Sequence, residues 1–311
     1  MSFPQPSGRE PETERKYRNR AIRLLRHHFT NVCVDGVTYT DWIQDPVMAC
    51  IFIANLRTMW SRSTWRQYKA SLRFFMEENC HVGAVTVLDR YDSRVCIKKP
   101  NRGPARKLKR LPSNYYVKIR DYLLKANGKY DMLINLWLLC GILTGLRPSE
   151  WEHATFDSDL NDKLTVCNAK NSNGRSTGEE RILDLSDLSP VKLNGIIKFM
   201  DVLHGHVELT GNFARVYVRC RNRLSWVTSK IWPNSKRPSL YSSRHQASAD
   251  LKKSGATSLE IAEIFGHASC RTAQTHYGRK KWGESRGGRV RSLANIDNDP
   301  ETMDDCGQSP R

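Results

Sequence analysis

The stretch from Tyr241 to Tyr277 restricts the possible folds of this chain more than any other segment. A helical run follows Tyr241 and ends at Gly255, since glycine is the residue that most often stops a helix. A second, helix-turn-helix-like run extends from Thr257 to Phe265. Three side chains that can handle phosphate lie within the stretch: Arg244, His267 and Tyr277. The segment therefore predicts short helices that hold an arginine, an imidazole and a phenol.

A second arginine, Arg147, follows an apolar helix. The run from Met132 to Leu143 is strongly apolar but too short to span a bilayer, so we expect it to be a buried helix. Gly145 ends this helix and Arg147 begins the next turn. Taken alone, an arginine in such a turn is typical of an ion pair, here with Glu150.

Charge and cysteine content limit the class of partner and compartment. The 311 residues carry a formal net charge of +18, which favours a polyanionic partner, nucleic acid before membrane. The nine cysteines form no C-x-x-C pair, and none lies with histidines at zinc-finger spacing. They indicate free thiols in a reducing cytosol, and we expect no metal site. No apolar segment typical of an export signal follows Met1.

The N-terminal part of the chain predicts a small helical domain. Residues 1–15 are rich in proline, serine and glutamate and are expected to form a disordered tail. Residues 16–93 form the domain, with one helix from Val47 to Trp60 and another capped by Ser61 or Ser63. The capped helix carries four basic residues along one side, the basic ridge: Arg62, Arg66, Lys69 and Arg73. Taken alone, a basic helix face is more typical of a solvated surface. If a DNA-processing domain follows it in the chain, we expect the ridge to contact DNA.

A basic linker is predicted at residues 94–110. It contains no acidic residue, and Pro100, Gly103 and Pro104 prevent regular structure there. Four of its cations are expected to lie along DNA phosphates: Lys98, Lys99, Arg106 and Lys107. Each phosphate that such a cation neutralises makes binding more sensitive to salt.

Residues 111–285 predict a second domain, followed by a tail at 286–311. Two strands, Lys163–Lys170 and Glu180–Leu185, flank the turn signal Asn173–Gly174 and indicate a hairpin. Further helices are indicated at Pro190–His204 and Phe213–Trp232. The fold class is therefore mainly α with a small β-sheet, α+β, in two domains.

Two separated arginines, the Gly266–His267 pair and a tyrosine shortly after it resemble the active site of the tyrosine recombinases, the integrase-type family. The resemblance implies a two-domain, C-shaped DNA clamp, in which a helical core-binding domain precedes the catalytic domain. It implies double-stranded DNA with specific recombination sites as partner and a homotetramer on DNA. It implies no cofactor, no membrane and no small-molecule substrate. We expect a cytoplasmic, nucleoid-associated protein of bacterial origin.

The roles of the candidate residues follow from the chemistry and from this resemblance. Arg147 and Arg244 offer planar forks for the non-bridging phosphate oxygens. Tyr277 is the expected nucleophile, which would form a 3′-phosphotyrosyl bond. By resemblance, Lys170 is the general acid and His267 hydrogen-bonds the phosphate or the surroundings of the nucleophile. Arg175, in the same hairpin, is the alternative acid.

Two features depart from the family's pattern. Tyr241 stands three residues before the second arginine, where the family usually has histidine. A phenol is a poor base at neutral pH, but it can hydrogen-bond a phosphate oxygen. The interval from His267 to Tyr277 is one residue longer than expected, and His276 stands at the usual place of the tyrosine. Neither feature indicates inactivity, because a degenerate member would more readily lose an arginine or the tyrosine.

The activity that these residues favour is site-specific recombination for the integration, excision or resolution of a mobile genetic element. Two other functions fit the same residues. A type IB topoisomerase uses a similar set of side chains to relax supercoils as a monomer. A catalytically idle DNA-binding accessory protein would share the basic surfaces but not the chemistry.

Overall fold

The computed structural model describes residues 10–29, 33–34, 37–38, 45–97, 107–156, 162–169, 178–269 and 278–293. The chain divides into two compact units, residues 1–103 and 104–311. The point of division falls inside the segment predicted as a basic linker. Three of its predicted DNA contacts, Lys98, Lys99 and Arg106, lie outside the described residues.

The first unit is built from helices whose apolar faces meet in one core. Its helices are α1 (Pro11–Phe29), α2 (Pro46–Asn55), α3 (Arg62–Glu78) and α4 (Val82–Arg90), with a 3₁₀ turn at Leu56–Met59 and a two-stranded ladder of β1 (Cys33–Val34) and β2 (Val37–Thr38). Trp65, Leu72 and Met76 of α3 are buried, and they recur at the spacing of one helix face. Ser61 is the N-cap of α3, because its hydroxyl accepts from Thr64 N at 3.2 Å.

The N-terminal helix begins earlier than the sequence predicts. Composition assigns residues 11–15 to a disordered tail, but α1 starts at Pro11. Proline is tolerated in the first turn of a helix, where its missing N–H has no partner to lose. Glu12 also lies in that turn and pairs with Arg15 at 2.6 Å and Lys16 at 3.3 Å. These local pairs and the favourable charge at the helix start explain the extension.

The second unit contains six helices among its described residues. They are α5 (Ser113–Ala126), α6 (Asp131–Thr144), α7 (Pro190–Thr210), α8 (Phe213–Ile231), α9 (Leu240–Lys253) and α10 (Ser258–Ile264). Helix α6 is buried along most of its length, as its apolar composition predicts. Gly145 ends it in the left-handed conformation, at φ 71°. A Cβ at Gly145 would lie 2.7 Å from the Phe265 ring, so glycine also allows α6 to approach the end of α10.

A four-stranded antiparallel sheet completes this unit. Its strands are β3 (Thr155–Phe156), β4 (Lys163–Cys167), β5 (Glu180–Asp184) and β6 (Arg291–Leu293), in that spatial order. The predicted pairing of β4 with β5 is present, with Thr165 opposite Ile182. The expected turn at Asn173–Gly174 lies outside the described residues. The prediction of a mainly α fold with a small sheet is confirmed.

The C-terminal boundary also differs from the one that the sequence predicts. Residues 286–311 are predicted as a tail, yet 286–293 belong to the second unit. Leu183 of β5 is opposite Ser292 of β6, and the Arg286 guanidinium donates to Asp250 at 2.6 Å. A three-residue strand is too short for its period to be recognised in the sequence. No helix among the described residues is long and apolar enough to cross a membrane.

Candidate active site

The Glu150 cluster lies in the second unit, where one buried carboxylate holds three guanidinium groups. Glu150 begins the short 3₁₀ turn after α6, and its side chain contacts Arg147, Arg181 and Arg244. Arg147 precedes that turn, Arg181 lies on β5, and Arg244 lies on α9. All four residues are at most 6% exposed. Three separate parts of the fold therefore converge on one carboxylate.

Arg147 is held by both its backbone and its side chain. Its N–H donates to Glu150 Oε2 at 2.7 Å, and its guanidinium pairs with Oε1 of the same carboxylate. The ion pair between Arg147 and Glu150, which is typical of an arginine in such a turn, is therefore present. The pair also fixes the direction of Arg147, since the turn through Pro148 brings residues 147 and 150 together.

Arg244 is fully buried and ties the ends of two helices together. It donates to the carbonyl oxygen of Gly145 at 2.7 Å and to that of Phe265 at 2.8 Å. Both carbonyls follow a helix, where backbone acceptors lack intrahelical partners. The guanidinium carbon also lies 4.3 Å from the centre of the Phe265 ring, a cation–π contact. Helix α9 starts with a Ser239–Ser242 capping box, which fixes the turn that carries Arg244.

His267 joins the cluster through Arg244. The distance from Arg244 Nη2 to His267 Nε2 is 3.1 Å. A guanidinium can only donate, so Nε2 is the acceptor and the ring proton is assigned to Nδ1. Burial and the neighbouring Arg244, Arg147 and Arg181 lower the pKa of His267 to about 3. The imidazole is therefore neutral at physiological pH.

Glu150 remains ionised in spite of its burial. Burial raises the pKa of this carboxyl, but the attraction of Arg181, Arg244 and Arg147 outweighs that effect and lowers it to about 2. Counting only the side chains named here, three cations and one anion leave a formal charge of +2 beside a neutral histidine. The cluster is therefore suited to an anion.

Sequence reasoning missed Arg181. Its guanidinium donates to Glu150 Oε2 at 3.0 Å and to the Ile264 carbonyl oxygen at 2.9 Å, and it pairs with the Asn168 side chain. One signal was available in the sequence. Residues 181 and 183 face inward on β5, so an arginine occupies an alternate position that normally carries an apolar side chain.

The Gly266–His267 pair has a steric explanation. Gly266 has φ 58°, and a Cβ there would lie 2.2 Å from Asn168 Oδ1 and 2.9 Å from an Arg181 nitrogen. Only glycine fits both this backbone conformation and this close approach. The turn that delivers His267 is thereby placed directly against the Asn168–Arg181 pair.

Tyr241 lies one helical turn before Arg244 on α9 and lines a cleft of about 570 Å³. Its ring meets that of His245 edge-on, with centroids 5.4 Å apart. Burial and the charges of Lys109 and Arg244 lower the pKa of His245 to about 4, so this histidine is also neutral at physiological pH. Among the described residues lining the cleft are three cations and no carboxylate: Lys107, Arg221 and Arg237.

Two predicted catalytic residues, Lys170 and Tyr277, lie outside the described residues, as do Arg175 and His276. The chain is described again at Gly278, whose carbonyl accepts from Lys252 Nζ of α9 at 2.9 Å.

The basic ridge of the first unit is only partly exposed. Arg62 and Arg66 extend into solvent. Lys69 is half-buried and donates to the Tyr91 carbonyl at 3.2 Å, whereas Arg73 is exposed and donates to Glu77 at 2.9 Å. Lys107, in the second unit, is exposed, and its backbone forms a bridge with Arg237. In the part of the chain that the structure describes, no group of three or more metal-ligating side chains could hold a metal ion.

Comparisons with known proteins identify the fold. No family model matches the chain, and no curated protein matches it at a significant level. Among solved structures, a lambda integrase dimer bound to a COC' core site matches with a TM-score of 0.53 and 14% identity, over 89% of this chain and 75% of that one. The Tn1549 transposon integrase in complex with transposon right end DNA matches with a TM-score of 0.49 and 13% identity, over 87% of this chain and 90% of that one. The match to the lambda integrase shows that this chain has the fold of the tyrosine recombinases, the family that its sequence resembles.

Proposed function

We propose that the chain is a site-specific recombinase that cleaves and rejoins DNA through a 3′-phosphotyrosyl intermediate. The observation that carries the proposal is the Glu150 cluster, in which three guanidinium groups surround one buried carboxylate and a neutral histidine contacts Arg244. A phosphodiester is the anion that double-stranded DNA would present to such a site. The tyrosine-recombinase fold, shared with the lambda integrase, supports the same conclusion.

Each residue has a distinct part in the proposed reaction. The Tyr277 phenolate attacks phosphorus, and the bond to the 5′-oxygen breaks as Lys170 gives that oxygen a proton. The phenol loses its proton to solvent as it attacks, and Lys170, left neutral by its donation, regains a proton from solvent, so the step balances. Arg147 and Arg244 stabilise the charge on the non-bridging oxygens. The phosphotyrosyl bond conserves the energy of the broken bond, so rejoining requires no ATP.

Arg244 must change partners when phosphate binds. Its two terminal nitrogens already donate to carbonyl oxygens, to Glu150 and to His267. A phosphate oxygen therefore replaces some of these acceptors. His267 is the partner that can most readily be exchanged, because its protonated Nδ1 or its Nε2 can then interact with the phosphate or its surroundings.

The cleft beside Tyr241 supplies a path for the DNA backbone. Lys107, Arg221 and Arg237 line it, and Tyr241 connects it to the helix that carries Arg244. Cations in a concave surface attract phosphates and release counterions when the duplex binds. In the first unit, the exposed Arg62 and Arg66 provide further contacts. Tyr241 orients a phosphate oxygen through its hydroxyl.

Recombination between two sites requires four strand cleavages, so the proposal includes a homotetramer that assembles on DNA. The biological task is the integration, excision or resolution of a mobile element. The protein then works in the cytoplasm of a bacterium, on the nucleoid, without cofactor or small-molecule substrate.

One assay distinguishes this proposal from its alternatives. The protein is incubated with supercoiled plasmid that carries two copies of DNA flanking its gene. We expect a covalent protein–DNA complex and exchange products, both absent with Tyr277→Phe. Relaxation without exchange would indicate a type IB topoisomerase, and binding without any covalent complex would indicate an accessory DNA-binding protein.

A further inference from the structure

Arg181 connects the Glu150 cluster to the base of the β4–β5 hairpin. One side of its guanidinium meets Glu150, with Nη2 donating to Oε2 at 3.0 Å. The other side meets Asn168, which follows β4, through Nη1 and the amide oxygen. Its Nε donates to the carbonyl of Ile264, at the end of α10 and shortly before His267. One planar group thus joins the hairpin, the carboxylate and the turn that carries the histidine.

Asn168 in turn fixes both sides of the hairpin. Its N–H donates to the Glu179 carbonyl at 2.7 Å, and its side-chain amide donates to the Gly178 carbonyl at 3.1 Å. Its remaining side-chain group, the amide oxygen, faces Arg181. Asn168 and Gly178 lie on the two sides of the hairpin. The Asn168 side chain therefore joins these sides to each other and to the cluster.

The surrounding backbone is shaped to fit this contact. Gly266 leaves the space that Asn168 Oδ1 and the Arg181 guanidinium occupy, since a Cβ there would collide with both. Burial lowers the pKa of Arg181, which shows that placing this cation in the interior has an energetic cost. The need to neutralise Glu150 does not explain why a third arginine is buried here, because Arg147 and Arg244 already pair with its single negative charge. Buried ion pairs of this kind contribute little net stability, and their best-attested use is to specify an arrangement.

We infer that Arg181 is a positioning residue, which aligns the proton donor of the β4–β5 hairpin with the phosphate held by the Glu150 cluster. The inference rests on the proposed function, because it assumes that the hairpin protonates the departing 5′-oxygen. Arg181 need not touch the substrate. It acts through Asn168 on the hairpin, and its contact with Glu150 anchors it to the cluster. A lysine could not replace it, because only a guanidinium presents separate donor nitrogens in one plane, here towards Glu150 and Asn168.

A sulfur substitution in the DNA separates this role from a merely structural one. Thiols have pKa values near 8.5, so a thiolate departs without a proton, unlike an alkoxide. The substrates are duplexes taken from the DNA flanking the gene, with oxygen or sulfur at the bridging 5′ position. Arg181→Gln and Asn168→Ala should form the covalent complex at least about tenfold more slowly than the parent on the oxygen duplex. On the sulfur duplex, both should react within about threefold of the parent, since the proton is no longer needed.

Matched variants show what each result means. Arg147→Ala should stay slow on both duplexes, because its partner is a non-bridging oxygen. Arg223→Gln removes another arginine–carboxylate pair of the second unit, the contact with Asp131 at 2.7 Å, and should leave cleavage of both duplexes unchanged. Thermal melting of every variant checks that it folds. If Arg181→Gln does not fold, Asn168→Ala decides, because it breaks the hairpin contact and leaves the Glu150 cluster intact.

Equal slowing of Arg181→Gln and Asn168→Ala on both duplexes, or no slowing on either, would overturn the inference. The proposed function would survive that result, provided that the parent forms a covalent complex that Tyr277→Phe does not. If the parent forms none on any duplex, the proposed function itself is wrong, and the inference fails with it.

Discussion

A carboxylate that holds three guanidinium groups serves two purposes at the scale of single residues. Glu150 compensates part of a buried positive charge, so that Arg147, Arg181 and Arg244 can lie side by side. It also leaves the arginines in excess, which prepares the site for an anion. The ion-pair interpretation of Arg147 and the phosphate-binding interpretation therefore describe the same arrangement.

Glu150→Gln should destabilise the protein and make its stability depend on anions. The variant keeps the shape of the side chain but leaves three buried cations without their carboxylate, at a cost of about 3–5 kcal/mol. Urea unfolding measures the loss. Added sulfate should restore more stability to Glu150→Gln than to the parent, because it binds where positive charge is uncompensated. The control is Glu152→Gln, an exposed residue of the same turn, which should change stability little. An equal loss in both variants would contradict the account of the cluster.

The neutral His267 gives the protein a predictable dependence on pH. Its pKa is about 3 in the folded state against 6.5 ordinarily, so between these values the unfolded chain binds a proton that the folded one does not. The contribution of His267 to the free energy of unfolding is therefore fully present above pH 6.5 and is lost as the pH decreases towards 3. The loss attributable to this residue is about 1.4 kcal/mol per pH unit. His245, with a pKa of about 4, adds a loss of the same sign.

Urea unfolding at about pH 7 and about pH 5 tests this sign. The parent should lose stability on acidification, and His267→Gln should lose less, because the contribution of this histidine is gone. A variant that loses as much as the parent would show that His267 is not held neutral.

At the scale of elements, sequence periodicity predicted the long helices and failed on shorter helices and strands. Helices α6, α7 and α8 were predicted because each is long enough for its apolar residues to be recognised over several turns. The helix α4 and the strands β3 and β6 were missed, since the strands contain two or three residues and are defined by their partners. The same reasoning explains the site. Arg147, Arg244 and His267 belong to recognisable motifs, whereas the only sign of Arg181 in the sequence is an arginine at an inward-facing position of a strand, and its contact with Glu150 is seen only in the structure.

Gly266 shows how one turn depends on its neighbours. Gly266→Ala adds a Cβ at a positive φ and places it 2.2 Å from Asn168 Oδ1. Gly211→Ala is the matched control, because Gly211 also has a positive φ, of 64°, but no atom within 4 Å of the added Cβ. The control should lose only the free energy that alanine costs relative to glycine at a positive φ, about 1 kcal/mol. Gly266→Ala should lose clearly more in urea unfolding, and equal losses would show that the close approach has no energetic importance.

At the scale of the whole molecule, charge is expected to govern the proposed encounter with DNA. The net charge of +18 and the cationic cleft predict an affinity that decreases steeply with salt. Replacing the linker cations Lys98, Lys99, Arg106 and Lys107 with alanine should flatten the slope of log affinity against log salt, by about 0.9 for each phosphate that is no longer neutralised. Fluorescence anisotropy with labelled duplex measures the slope. An unchanged slope would remove these four residues from the DNA-binding surface.

In the proposed reaction, Tyr277 attacks a phosphate held by Arg147 and Arg244. The most direct measurement uses the duplex with bridging 5′ sulfur, whose thiolate leaves readily and rejoins poorly. After digestion of the trapped complex, mass spectrometry identifies the modified residue. We expect a nucleotide joined through its 3′-phosphate to Tyr277, with no adduct in Tyr277→Phe. An adduct on another residue such as Tyr241, attachment through the 5′ end, or an undiminished adduct in Tyr277→Phe would contradict it.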